Sequence, residues 1–328
     1  MMDFYQPLHK RFKITTQRVG SFFQMAFRAK FPDALVFKHI VETVADFGDA
    51  NWTLDTDGIF FSMIDGSHVA LVEVSIPADA LSEYEVERPV ELGVSMKVLL
   101  DALKGVSPTS KTTLVLQSVN NHKRRKNVAA GTGADDKYAL DFGGDMTVFV
   151  ELNQLELDQD VVSPTAFDPH VQIIMPCTMY KRLCTANLGM GDQVSISCGT
   201  DELKAMDLSE ASDDDNDDEE DAAFSAAEDV SVSFSTTGAN GTITSIIRTD
   251  SATHVVATSN VIDISLTTEY ALKYLSRFAC ADTLAKLVTI SLIEDMPIFL
   301  RFDITKLEGA YVRFCLAPKI PDEDADDD

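Results

Sequence analysis

Five cysteines, Cys177, Cys184, Cys198, Cys280 and Cys315, are the chain's only thiols, and no two are spaced as CxxC. A zinc site needs Cys or His ligands paired at short spacing, and no histidine stands close enough to these thiols to complete one. Reduced, mostly buried thiols and no metal centre are therefore expected. Carboxylates are abundant, but they concentrate in low-complexity runs where burial cannot tune a pKa. A Gly-rich phosphate loop, an HExxH helix and a nucleophile elbow are all missing from the sequence. No catalytic residue and no cofactor follow from these patterns, which argues against an enzyme. What remains is charge set out in a pattern. Lys273, Ser276, Arg277 and Cys280 recur at i, i+3, i+4 and i+7, one face of a helix. Ala271, Leu272, Leu275, Phe278 and Ala279 fill the opposite face. A face of bases attracts a phosphate backbone without reading its sequence.

Four such helices are expected, at about Asp33–Phe47, Ser95–Lys104, Thr178–Leu188 and Thr268–Cys280. In the first, Val36, Phe37, Ile40, Val41, Val44 and Phe47 keep helical spacing behind Asp33, a candidate N-cap. Its main base is Lys38, opposed by Glu42. The second offers Lys97 and Lys104 with Asp101. The third offers Lys181 and Arg182 with Thr185, over Tyr180, Leu183 and Cys184. Strands follow at Thr112–Gln117, Gln193–Cys198 and Leu287–Ile293. The same order of helix, strands, helix, strands runs through both halves, so the chain reads as an internally duplicated α+β protein. Asp57–Val72 reads as strand, tight polar turn, strand. Phe149–His170, marked by Pro and Asp, reads as a strand end leading into a surface connector.

The net charge is −26, yet Glu210–Asp229 holds eleven acids and Asp322–Asp328 six more. Setting those runs aside leaves −9, so the helix faces say more about partners than the total does. No apolar run reaches the roughly 18 residues of a membrane span, and the N-terminus lacks a signal-peptide core. No membrane association is expected. The layout expected is an N-terminal extension at 1–24, a first domain at 25–148, a connector at 149–170 and a second domain at 171–320. The second domain carries an acidic insertion at 208–229, and an acidic tail follows at 321–328. Lys123–Lys126 could serve as a nuclear-import signal, a DNA contact or a plain hairpin tip.

Several stretches, in order, resemble the eukaryotic-type DNA sliding clamps of the proliferating cell nuclear antigen (PCNA) family. They are Trp52 at a strand start, DGIFFSMIDGSHVALV at Asp57–Val72, LGV at Leu92–Val94 and GDQVSISC at Gly191–Cys198. In the second half come YALKYLSRF at Tyr270–Phe278, EDMPIFLRF at Glu294–Phe302 and FCLAPKI at Phe314–Ile320. The resemblance implies two similar clamp domains per chain, each with two helices lining a channel and sheets outside. It implies a head-to-tail homotrimer that an ATP-driven loader closes around duplex DNA, in the nucleus or at a viral replication site. Lys38, Lys97, Lys104, Lys181, Arg182, Lys273 and Arg277 would then meet DNA without sequence preference.

DNA polymerase, the clamp loader and other proteins bearing a short motif, a Gln, an aliphatic three residues on and then two aromatics, would dock in an outer pocket. The resemblance builds that pocket from Met63, His68, Val69, Val161, Val162, Pro164, Pro297, Ala317, Pro318 and Ile320. Subunit edges would lie at Met146, Val148 and Val150 and at Thr242, Ile243 and Ile246. Asp101, Thr185 and Cys280 depart from bases usual in the channel. Arg277 stands where an aromatic is frequent, Cys315 replaces a common pocket Tyr, and Thr200 replaces the lysine that accepts ubiquitin. Thr16, Val19, Phe22 and Phe23 follow the client spacing with Thr in place of Gln. Two alternatives stay open: a subunit of a heterotrimeric checkpoint-type clamp, and an acidic, histone-binding interaction protein.

Overall fold

The computed structural model describes residues 26–106, 112–119, 137–143, 147–158, 168–199, 231–248, 253–257, 266–293 and 296–319. The first half runs β1 (Phe27–Phe31), α1 (Ala34–Val44), β2 (Ala50–Leu54), β3 (Gly58–Ile64), β4 (Ala70–Pro77), β5 (Glu83–Val86), β6 (Val90–Val94), α2 (Met96–Ala102), β7 (Thr113–Val119), β8 (Lys137–Gly143) and β9 (Thr147–Asn153). The second runs β10 (Val171–Pro176), α3 (Cys177–Leu188), β11 (Gln193–Gly199), β12 (Ser231–Gly238), β13 (Gly241–Ile247), β14 (His254–Ala257), β15 (Leu266–Ala271), α4 (Leu272–Phe278), β16 (Leu287–Leu292), β17 (Ile298–Asp303) and β18 (Tyr311–Leu316). The succession of strands and helices is the same in both, as the duplicated sequence pattern implies.

Each half contributes a five-stranded and a four-stranded antiparallel sheet. The first half gives β5-β1-β7-β8-β9 and β4-β3-β2-β6; the second gives β14-β10-β16-β17-β18 and β13-β12-β11-β15. Pairing of β18 with β4 fuses one sheet from each half into nine continuous strands. Alternation drives the burial: β1, β2 and β10 each turn every second side chain inward. The helices close the inner faces. Phe31 and Phe37 meet at 4.5 Å between ring centroids, and Trp52 stacks on Phe61 at 4.5 Å. A further aromatic group bridges the halves: Phe47 lies 5.8 Å from Phe314 and 6.2 Å from Phe278, which stack on each other at 4.4 Å. Sealing a phenylalanine side chain from water contributes about 1.5–3 kcal/mol, so this group is a substantial part of what keeps the halves together.

Asp33 caps α1 as its position predicts, its Oδ1 accepting from the Leu35 amide at 2.9 Å. Three helices are shorter than their periodicity indicates. Thr268–Ala271 is strand, because it pairs with Gln193–Ile196 of β11, and α4 begins only at Leu272. After Ala102 the second helix tightens into a 3-10 turn at Leu103–Gly105, as the first does at Ala45–Phe47. The strand opening the connector continues to Asn153, five residues into the segment read as linking the halves.

Candidate functional site

The four helices form one layer. α1 packs on α2, α3 packs on α4, and the 3-10 turn after α4 (Ala279–Thr283) reaches α1. The Cys280 thiol points at the Thr43 carbonyl 3.8 Å away. All seven bases picked from the sequence lie on this layer or at its ends, but they are not equivalent. Lys104 pairs with Asp101 at 2.7 Å and Lys181 with Asp282 at 2.6 Å. Lys38 is half-buried, donates to the Val106 carbonyl at 3.2 Å and lies 3.9 Å from Glu42. Arg277 lies 4.5 Å over the Phe47 ring and 3.5 Å from Asp46, so it works as a tie between the halves. Lys97, Arg182 and Lys273 are exposed; Lys97 adds a smaller pull to the Lys104 hydrogen bond that holds the Asp101 carboxyl low. Lys273 Nζ is 4.9 Å from the Tyr274 ring. These three, none of them in a close ion pair with a described residue like those of Lys104 and Lys181, carry most of the free positive charge of the layer.

The turn between β3 and β4 is organised by one carboxylate. Asp65 Oδ1 accepts from the amides of Val69 at 2.9 Å and Ala70 at 2.7 Å. Its Oδ2 accepts from the Ser67 amide at 3.2 Å and from the Tyr274 hydroxyl at 2.7 Å. Burial pushes the Asp65 carboxyl upward, but these hydrogen bonds outweigh it and hold the pKa down at about 2. His68 completes the turn with φ +56°, and its ring is exposed.

Beyond this turn the outer face of the nine-stranded sheet presents two apolar rows. Leu71, Cys315 and Phe299 are cross-strand neighbours. Next to them Val69 accepts from the Ala317 amide at 3.0 Å, and Pro297 precedes Ile298, the partner of Leu316. Pro318 is half-buried, and the Lys319 amide donates to the Glu269 carbonyl at 2.8 Å. Ile64 and Met296, 41% and 44% exposed, flank this corner. Met63 does not belong to it. Its partner Val72 and that residue's partner Phe314 are core residues, and Met63 is 3% exposed. Strand alternation sends it inward and gives the outer position to Ile64. Burial raises the Cys315 thiol to about 11, with Arg313 lowering it and Glu73 raising it further.

The connector leaves β9 along the neighbouring strands. The Leu155 amide donates to the Gly93 carbonyl at 2.9 Å, and Asn51 Nδ2 donates to the Leu157 carbonyl at 3.1 Å. A Cβ on Gly93 would fall 2.1 Å from the Leu155 oxygen, so glycine is what permits this approach. Val161, Val162, Pro164 and Ile320 lie outside the described residues, as do Met146, Lys123–Lys126, the extension at 1–24, the acidic insertion and the acidic tail.

Among the described residues the three sheets end in six edge strands, β5, β9, β14, β6, β13 and β15; β9 and β13, one in each half, hold the segments picked from the sequence as subunit edges. On β9, Val148 and Val150 are half-buried while Phe149 is 54% exposed. On β13, Ile243 and Ile246 are half-buried and Thr242 is exposed. Hydroxyl pairs Ser235–Thr244 at 3.1 Å and Thr237–Thr242 at 2.9 Å tie β13 to β12. Sequence reasoning passed over Ile64, Phe149 and Tyr274. The first two are apolar residues that alternation turns outward, which a strand register counted one residue differently would have found.

The profile of the "Proliferating cell nuclear antigen, N-terminal domain" matches residues 26–140, and that of its C-terminal domain matches 205–320. A proliferating cell nuclear antigen from Chaetomium thermophilum is 25% identical over 301 residues, covering 90% of this chain and 99% of that protein. The crystal structure of the Entamoeba histolytica antigen shares the fold. It superposes with a TM-score of 0.69 at 21% identity, over 90% of this chain and all of that one. With both domain profiles matched in order on a duplicated clamp-like fold, the chain belongs to the proliferating cell nuclear antigen family of DNA sliding clamps.

Proposed function

We propose that three copies of this chain close head to tail into a ring around duplex DNA and hold polymerase and other replication and repair proteins to it. The observation that carries this reading is a duplicated chain in which two edge strands, β9 of the first half and β13 of the second, are the counterparts of β18 and β4, which pair with each other inside the chain. Bare edges invite pairing with another chain, and a closed heterologous ring would pair these two in every copy. The helical layer is the side that faces DNA. Lys97, Arg182 and Lys273 supply diffuse attraction to phosphates, and pairing of Lys104 and Lys181 with their own carboxylates keeps that attraction weak. Weak, sequence-blind contact suits a body that must slide.

The outer corner of Ile64, Val69, Cys315, Ala317, Pro318 and Pro297 takes the apolar anchors of client peptides, with His68 at its rim. The loader is one such client, and the nucleus is the site of action. Light scattering tests the ring directly. A mass of about 108 kDa, three copies of the 36.0 kDa chain, is expected. A stable monomer would overturn the homotrimer and favour a heteromeric clamp.

A further inference from the structure

The outer corner presents apolar surface, and the chain carries, ahead of β1, a segment whose chemistry matches it. We propose that Val19, Phe22 and Phe23 of the N-terminal extension seat in the corner of their own ring, so that a client must displace them to dock. The inference rests on the reading of the corner as the client site given above.

Ile64 and Met296 are 41% and 44% exposed, and Val69, Leu71, Pro297 and Cys315 near them are only half-buried. Strand alternation turns Leu71 and Cys315 out on one face of the sheet as cross-strand neighbours. Exposed apolar surface gathered in one place marks a docking site. Val19, Phe22 and Phe23 precede Ala26, where the described residues begin. They stand at i, i+3 and i+4, the spacing of one face of a helical turn. An apolar helical face laid on an apolar groove is a recurring way to recognise a peptide. Thr16 stands at the place of the client's Gln. Its side chain offers one hydroxyl instead of an amide with two donors and an acceptor. The extension therefore holds less firmly than a client and gives way to one.

Charge points to the same occupant. Glu294 and Asp295 directly precede Met296 of the corner. Asp322, the first of six acids, follows Lys319 by three residues, at most about 11 Å of chain. Residues 1–25 hold four bases, Lys10, Arg11, Lys13 and Arg18, against the single acid Asp3, in a chain of net charge −26. Acids bracketing the corner attract that basic lead over about a Debye length, near 8 Å at physiological salt. They repel the acidic insertion at 208–229, which sets that segment aside as the occupant. A tethered segment competes at an effective concentration on the order of 1 mM. With an intrinsic dissociation constant of about 0.1 mM, this weakens a client by about tenfold.

Fluorescence anisotropy of a labelled peptide with a Gln, an aliphatic and two aromatics at the client spacing reads the competition in the full chain. Phe22→Ala with Phe23→Ala should bind this probe about tenfold tighter than the unsubstituted chain does. Phe4→Ala with Phe12→Ala, which removes two other aromatics of the extension, should leave the affinity unchanged. A synthetic peptide of residues 10–25 should displace the probe from the Phe22 and Phe23 variant, and the gain should not depend on clamp concentration. Equal affinity in that variant and the unsubstituted chain overturns the inference and leaves the corner standing as the client site. An equal gain in the Phe4 and Phe12 variant, no displacement by the peptide, or a gain that vanishes on dilution does the same. No binding of the probe to the Phe22 and Phe23 variant overturns the corner reading itself, and the inference with it.

Discussion

Met63 and Ile64 are neighbours in the chain and have opposite duties. Met63 packs into the core, so Met63→Ala should cost about 2–5 kcal/mol of unfolding free energy, read by urea titration. Ile64 stands at the client corner. Ile64→Asp should weaken a peptide with one aliphatic and two aromatic anchors by about tenfold or more, near 1.4 kcal/mol, in fluorescence anisotropy, with the melting temperature unchanged. Asp65 gives a prediction with a sign. Its carboxyl titrates near 3.9 when unfolded and at about 2 in the fold. Its contribution is therefore complete above about pH 4 and is lost as pH falls toward 2, by about 2.5 kcal/mol in all. Asp65→Asn should flatten that part of the stability profile, and an unchanged acid slope would refute the role given to it. The turn was legible in the sequence as a polar break between apolar runs. The inward turn of Met63 was not, because a motif fixes residue types more firmly than the parity of a strand.

At the scale of elements, the four helices were legible from their apolar period, and Asp33 marked the first one's start. The end of β15 was not: Thr268–Ala271 has helix-like neighbours, and only its pairing with β11, some seventy residues earlier, makes it strand. The same limit applies to charge. A helical wheel shows Lys181 pointing outward, but Asp282, which holds it through a hydrogen bond and raises its pKa, comes 101 residues later. The bases of the layer should therefore divide in function. Replacing Lys97, Arg182 and Lys273 by Glu should lower the slope of log affinity against log salt by about 0.9 for each phosphate that is no longer neutralised. Replacing Lys104 and Lys181 by Ala should change it less, since each removal also frees a carboxylate. DNA-binding titrations across a salt series distinguish the two sets, and equal effects would mean that the intramolecular pairs open on DNA.

For the whole molecule, duplication was legible as repeated order, and the line of fusion was not, because the residues that make it lie far apart in sequence. Glu73 sits in an apolar strand and Arg313 in another, and nothing local marks them as partners. Removing one member of such a buried pair leaves the other charge uncompensated and costs about 3–5 kcal/mol. Glu73→Ala should lower the urea midpoint by a corresponding amount, and a midpoint unchanged from the parent would show that the internal joint does not depend on the pair. Phe149→Glu should leave the midpoint in place and shift light-scattering mass toward the single chain on dilution. Lys306, whose ammonium reaches Asp33 at 2.7 Å, adds a further tie across the same line.

The pairing of β4 with β18 also bears on how the chain is made. When the first half has left the ribosome, β4 still shows a free edge with an acidic side chain destined for the interior, and the strand that covers it lies more than two hundred residues ahead. Contacts that distant in sequence form slowly, and a nascent open edge is prone to wrong partners. Premature termination before Tyr311 should accordingly yield not a half-sized clamp but a sticky fragment dependent on chaperones.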